Sequence, residues 1–156
     1  MTDPAEAAAG VPIAGPAVPN VYEAQVRWSD TDIMGHVNHA RYLSFFEDAR
    51  MTLLASSPAG LAGAAGNRGY IAARVAVDYR WAAEFRPGLM LRVETMVSRI
   101  GTTSWTFDQQ MYGGDHHVAN CECVLVGYSY ADRTPRALAR DEREFWQQYL
   151  VSGSAS

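Results

Sequence analysis

The chain has 156 residues, 48% of them hydrophobic, enough for one domain with a real core and too few for two ordinary ones. A formal net charge of −4 and a pI near 5.5 leave no surplus of Lys and Arg to hold a polyanionic backbone, which argues against nucleic acid as a partner. Cys121 and Cys123 form a C-x-C with no second pair, so neither a disulfide framework nor a four-thiolate zinc site follows.

The first twenty residues, MTDPAEAAAGVPIAGPAVPN, are rich in Ala, Pro and Gly and lack a basic start, and they read as a disordered tail. From Val21 to Trp28 apolar residues recur at every second position, the period of a half-buried strand. A polar turn containing Gly35 follows, and then a helix from Asn38 or His39 to about Ser56, with Tyr42, Phe46, Ala49 and Leu53 in one stripe widened by Phe45 and Leu54. Pro58 and glycines 60, 63, 66 and 69 mark an irregular connection in which LAGAAG holds at most a short turn.

The rest reads as antiparallel sheet. One strand runs from Ile71 to Trp81; Arg86-Pro87-Gly88 turns the chain into a second carrying Leu89, Leu91, Val93 and Val97, and Gly101 precedes a third carrying Trp105, Phe107 and Met111. After a YGGDH turn, the strand from His117 to Tyr130 is apolar on both faces over CVLVG and is expected to be central. Thr134-Pro135 and DERE announce a terminal helix with Phe145, Trp146, Tyr149 and Leu150, and VSGSAS closes the sequence as a loose end. A single α+β domain over residues 21–150 is therefore expected, with a helix about 27 Å long inside a curved sheet and a second subunit over the helix's surplus apolar face. No apolar run approaches the roughly 18 residues that span a bilayer, so a cytoplasmic protein without a membrane partner is the expectation.

The chemistry-bearing residues crowd the first turn, DTDIMGHVNH. Asp32, just before a helix, can act as a nucleophile or as a base toward water, and backbone N–H groups from Gly35 through His36, Val37 and Asn38 to His39 can polarise a carbonyl. Asn38 also suits the helix N-cap. Gly35 serves either a backbone turn or close approach of a ligand. His39 can orient a substrate, bind water or cap the helix, and Asp30 can set the turn. Neither Asp30, Asp32, His36 and His39 nor Asp115-His116-His117 has a strong metal-ligand spacing, so no metal is expected.

The run D-x-D-x-x-G-x-V-x-H-x-R-Y-L-x-F-F-E-x-A-R, from Asp30 to Arg50, resembles the hotdog-fold 4-hydroxybenzoyl-CoA thioesterase-like family, and within it the YbgC-like acyl-CoA thioesterases. VDYRWAAEFRPGLMLRVETMVSRIGTTSWTFDQQMY looks like that family's sheet, so the resemblance covers about residues 21–130. It implies a helix wrapped by a five-stranded antiparallel sheet, a homodimer or a tetramer made of two dimers, and hydrolysis of an acyl-CoA thioester, with coenzyme A as part of the substrate and no separate cofactor. It makes Asp32 and His39 the catalytic pair and Trp28 a departure from the family's tyrosine, since indole donates a hydrogen bond but is no phenolic acid. Tyr42, with Phe45 or Met51, would border the acyl pocket at a dimer interface, and Thr103 and Ser104, in a segment like the family's I-G-x-T-S, would lie near substrate and coenzyme. Arg74, Arg80, Arg99 and Arg136 read as solvated charges, a subset of them available to coenzyme A phosphates; Gln109 and Gln110 draw no functional expectation.

Two other readings compete. A non-catalytic acyl-CoA-binding or assembly protein would keep the architecture and lose the chemistry. A dehydratase or hydratase would need histidine and acid placed for proton transfer, but the histidine followed by F-P-G of the fatty-acid dehydratase branch is missing. An acyl carrier protein in place of coenzyme A stays open.

Overall fold

The computed structural model describes residues 17–61 and 67–151. The expected N-terminal tail up to residue 16, most of LAGAAG and the chain after Val151 lie outside the described residues. In chain order the elements are β1 (Asn20–Gln25), α1 (His39–Ala55), β2 (Gly69–Tyr79), β3 (Met90–Ile100), β4 (Ser104–Gly113), β5 (His116–Ser129), β6 (Thr134–Pro135) and α2 (Arg140–Gln147). The strands form one antiparallel sheet in the order β1-β3-β4-β5-β2, with the two-residue β6 added to the end of β5. The sixth strand was not expected: Thr134 and Pro135 fold back on Ser129 and Tyr128 before the helix begins.

Alternation in the sequence becomes the two faces of this sheet. Leu91, Val93, Thr95 and Val97 of β3, Trp105, Phe107, Gln109 and Met111 of β4, and Ala119, Cys121, Cys123 and Leu125 of β5 are all buried, as period-two strands with one covered face require. Tyr42, Phe45, Phe46, Ala49, Leu53 and Leu54 of α1 join the same core. The side-chain oxygen of Asn38 accepts the Ala40 N–H at 3.0 Å and caps α1, as its position predicts. Both cysteines are free, and burial pushes the Cys121 thiol up to about 11.

Two features of the core escaped sequence reasoning. Gln109, from which nothing was expected, is fully buried and donates from Nε2 to the Phe46 carbonyl (3.1 Å) and to Thr95 Oγ1 (3.0 Å), while Arg50 Nη1 donates to its Oε1 (2.9 Å). Arg136 is no solvated charge. Its guanidinium forks onto buried Glu142 at 2.7 and 2.8 Å and also donates to the Gly69 carbonyl, tying α2 to the start of β2. Arg74 does stand in solvent, as an exposed ion pair with Glu122 across β2 and β5.

Burial alone would raise the Glu142 carboxyl, but the Arg136 hydrogen bonds, the Ala139 N–H and the charges of Arg136 and Arg68 outweigh it and hold the group below its ordinary value. A depressed carboxylate contributes stability that is present above the unfolded glutamate range and is lost as pH falls through the folded value. Arg136→Ala should therefore cost about 2–3 kcal/mol in urea unfolding at pH 7, toward the low side for breaking a buried pair because Arg68 remains nearby. The deficit should shrink below about pH 4, where an unperturbed glutamate also protonates; a pH-independent deficit would assign the effect to packing instead.

The helix carries no surplus apolar face, contrary to expectation. Its apolar stripe is covered within one chain, and Met51 is only partly buried. Leu43, outside that stripe, is exposed on α1, and a further group of uncovered apolar side chains lies on β2, where Val75 and Tyr79 are 39% and 49% exposed and Ile71 is also exposed. β2 stands at the end of the strand order and pairs only with β5 among the described residues. An edge of eleven residues with unpaired peptide groups is a template for another strand.

Candidate functional site

β1 ends at Gln25 rather than running on to Trp28. Asp30 Oδ2 accepts the Arg27 N–H at 2.8 Å, which curls Trp28–Asp30 into a 3-10 turn before the alternation is complete. Trp28 is therefore 75% exposed, edge-on to Phe85, and it does not line the cleft that holds Asp32. Buried Asp30 accepts the Asn38 N–H on its carbonyl at 2.8 Å, and its carboxylate lies 3.8 Å from Arg41; its task is to shape the turn.

Asp32 begins a second tight turn. Its N–H donates to the His36 carbonyl and its own carbonyl accepts the Gly35 N–H, while Oδ1 accepts the N–H groups of Met34 (2.9 Å) and His36 (3.3 Å). Gly35 sits at φ +78° with open space around it, so the glycine serves the left-handed backbone and not a close approach. The Val37 N–H donates to the Ala83 carbonyl and the Phe85 N–H to the Gly35 carbonyl, both at 2.8 Å, which staples the turn to the segment after β2.

These bonds narrow the expected row of carbonyl-polarising amides. The N–H groups of Gly35, His36, Val37, Asn38 and Ala40 are all committed within the turn and cap. His39 opens the helix, where an N–H has no acceptor inside the helix. Asp32 is left with Oδ2, and the helix start with one amide.

Asp32 and His39 both line a cleft of about 370 Å³, with Met34, His36, Val37 and Tyr42 from the turn and helix and Tyr79, Arg80, Trp81 and Ala82 from the end of β2. The Tyr42 oxygen accepts the Ala83 N–H at 3.2 Å, and burial foremost holds this phenol above its ordinary value, so it enters the site neutral. Its ring meets that of Tyr79 edge to face at 5.4 Å, Tyr79 also lies edge-on to His39 at 6.4 Å, and the Tyr79 hydroxyl donates to the His39 carbonyl at 2.9 Å. Tyr79 and Trp81 were read only as strand residues; the aromatic pair at the point where alternation fails was the signal for them.

Asp32, His36, Val37, His39 and Tyr42 thus meet, Gly35 and Asn38 support them from behind, and Thr103 and Ser104 do not join them. Ser104 pairs with Val126, whereas Tyr79 at the cleft pairs with Ala119; the seven-residue separation along β5 is about 23 Å. Within one chain, Thr103 and Ser104, which the resemblance places near substrate, are held at the opposite end of the strands from Asp32. Among the described residues no group of three or more His, Cys, Asp or Glu is arranged to hold a metal ion, and no helix is long and apolar enough to cross a membrane.

A family model described as the thioesterase-like superfamily matches residues 26–144. The acyl-CoA thioester hydrolase YbgC of Escherichia coli O157:H7 is 27% identical over 121 residues, which is 76% of this chain and 89% of that protein. Among solved structures, a thioesterase complexed with coenzyme A and Zn from Thermus thermophilus is similar with a TM-score of 0.70 and 28% identity, over 85% of this chain and 93% of that one. A 1,4-dihydroxy-2-naphthoyl-CoA thioesterase from Synechocystis superposes with a TM-score of 0.73 at 19% identity, over 83% and 96% of the two chains.

Proposed function

The chain belongs to the thioesterase-like superfamily, and from that premise we propose that it hydrolyses an acyl-CoA thioester to a carboxylic acid and free coenzyme A in the Asp32 cleft. The observation that carries this reading is that one cleft is lined both by Asp32, whose Oδ2 has no hydrogen-bond partner among the described residues, and by His39 at a helix start, whose N–H has none there either. A thioester carbonyl seated between them has its developing negative charge met by the amide and the helix dipole. Asp32 Oδ2 then either attacks the carbonyl carbon, with the thiolate leaving and water cleaving the resulting anhydride, or takes a proton from the water that attacks. A single turnover in ¹⁸O-labelled water separates the routes, since only the anhydride route can leave the label in the protein. Coenzyme A enters as part of the substrate.

The His39 imidazole, exposed beside Tyr79, orients the thioester. The His36 imidazole lies 3.9 Å from Glu84. His39→Ala should accordingly lower kcat by about 100-fold, within the span of a catalytic histidine, and by more than His36→Ala does, with both measured on the same acyl-CoA at saturating and limiting concentrations. A larger kcat loss for His36→Ala would transfer the role to that residue.

Steady-state release of free thiol across a panel of acyl-CoA thioesters, repeated with acyl carrier protein thioesters, tests the activity itself. Tight binding with no release of thiol would favour the non-catalytic acyl-CoA-binding reading.

The active unit in this proposal is a homodimer built across β2, in the cytoplasmic setting expected from the sequence. Antiparallel pairing of two β2 edges about Arg74 sets Tyr79 of one copy opposite Gly69 of the other. The Gly69 end of the sheet is the end that carries Thr103 and Ser104, two strands or about 10 Å from the seam. A second copy would thus bring its own Thr103 and Ser104 toward Asp32, and the two segments that the resemblance places near substrate would approach each other between chains.

A further inference from the structure

A second cavity, of about 460 Å³, opens on the other side of the Asp32 turn. It shares His36, Arg80, Trp81 and Ala82 with the Asp32 cleft, so the two spaces adjoin at these residues. Its remaining charged and titratable lining is Arg86, Glu84 and His116. The Arg86 guanidinium is exposed and makes no hydrogen bond or ion pair among the described residues, and Arg80 engages only Nε, with Asn120. The His116 ring stacks on Trp81 with centroids 4.4 Å apart and planes 1° apart, which fixes the shared wall. Glu84 is the one acid; its side chain is largely exposed, with the carboxylate 3.9 Å from His36 of the same lining.

Ala83, Leu89, Gly113 and Val118 complete the lining, which therefore mixes charged with apolar groups. In the core, Phe46, Ala49, Phe107 and Met111 are wholly buried, and close packing leaves a long apolar chain no void among them. We propose that the second cavity is the acyl-end subsite and that it binds a carboxylate at the far end of the substrate's acyl group, with Arg86 and Arg80 as its charge partners. The substrate class is then a short dicarboxylic acyl thioester. The inference rests on the thioesterase reading for what lies at Asp32. The phosphates of coenzyme A are the other anions the substrate carries, but the whole pantetheine arm separates them from the thioester, and a cavity sharing a wall with the Asp32 cleft is reached more directly from the acyl side.

The test pairs two thioesters of equal carbon number, glutaryl-CoA and pentanoyl-CoA. The unaltered protein should favour glutaryl-CoA in kcat/KM by about tenfold, and Arg86→Gln should cut that ratio by about tenfold through KM, the scale of one partly exposed charge-assisted contact. The same loss should appear with the N-acetylcysteamine thioesters, which carry no phosphate. A preference for pentanoyl-CoA in the unaltered protein, or an Arg86 effect confined to the coenzyme A thioesters, overturns the subsite. Calorimetric titration of Asp32→Asn with both coenzyme A thioesters reads the subsite without turnover. Arg86-dependent preference in binding, with no hydrolysis by the unaltered protein, keeps the subsite and removes the thioesterase reading; hydrolysis without the preference does the reverse.

Discussion

Replacing Asp32 with asparagine is expected to lower kcat for the best acyl-CoA by about 100-fold or more while leaving the fold intact. The substitution separates the two jobs of this side chain. Asparagine keeps a carbonyl oxygen where Oδ1 accepts the Met34 and His36 N–H groups, so the turn that holds Gly35 at positive φ retains its bonds. What changes is the other position: an oxygen that can attack a carbonyl or accept a proton from water becomes an amide nitrogen that can do neither. Asp32→Ala would be a poorer experiment, because it also leaves two turn amides without their acceptor. Circular dichroism and urea unfolding should match the unaltered protein, and kcat should carry the loss more than KM, since the carboxylate acts on the transition state. Retention of more than a tenth of the turnover would remove Asp32 from the centre of the chemistry.

Val75→Lys should yield a folded monomer with kcat/KM lowered by about 100-fold, the scale of a misplaced substrate wall. Val75 lies near the middle of β2 on the face shared with Cys123 of β5, yet it is 39% exposed, so one chain does not finish covering it. Pairing two β2 edges about Arg74 would bring the two copies of residue 75 close together across the axis. A lysine there is tolerated by an edge strand facing water and opposed by a dimer, which would have to desolvate two like charges. Sedimentation velocity over a range of protein concentration, with hydrolysis measured at each, tests the coupling. A monomeric Val75→Lys protein of undiminished activity would defeat the shared site, and so would a fully active monomer of the unaltered chain.

The elements themselves were largely legible. Helix α1 begins at His39, where an Asn38 cap followed by an apolar stripe predicts it, and the strands fall where alternation runs unbroken for ten residues or more. The failures cluster where a side chain hydrogen-bonds the backbone. Asp30 stops β1 three residues short of Trp28 by capturing the Arg27 N–H, and a pattern of apolar positions carries no sign of that bond. The row of amides expected from Gly35 to His39 fails for a related reason: acceptors for them come from Asp32, Asp30 and Ala83, the last of them more than forty residues away in sequence. Arg136 looked like a solvated charge because the carboxylate and carbonyl it joins, Glu142 and Gly69, belong to separate elements that only packing brings together.

By itself the sequence determined the helix, the long antiparallel strands and the carboxylate turn that feeds the helix start, because each depends on residues within a few positions of one another: period, cap and turn chemistry are local. The strand order β1-β3-β4-β5-β2 decided the rest. It placed β2 at an edge with Val75 and Tyr79 uncovered, buried the apolar stripe of α1, carried Tyr79 and Trp81 to the Asp32 cleft, and held Thr103 and Ser104 at the far end of the same sheet. Which distant residues meet follows from how strands pair and how completely one chain covers its own core, and both are properties of the packed tertiary structure that local periodicity does not encode.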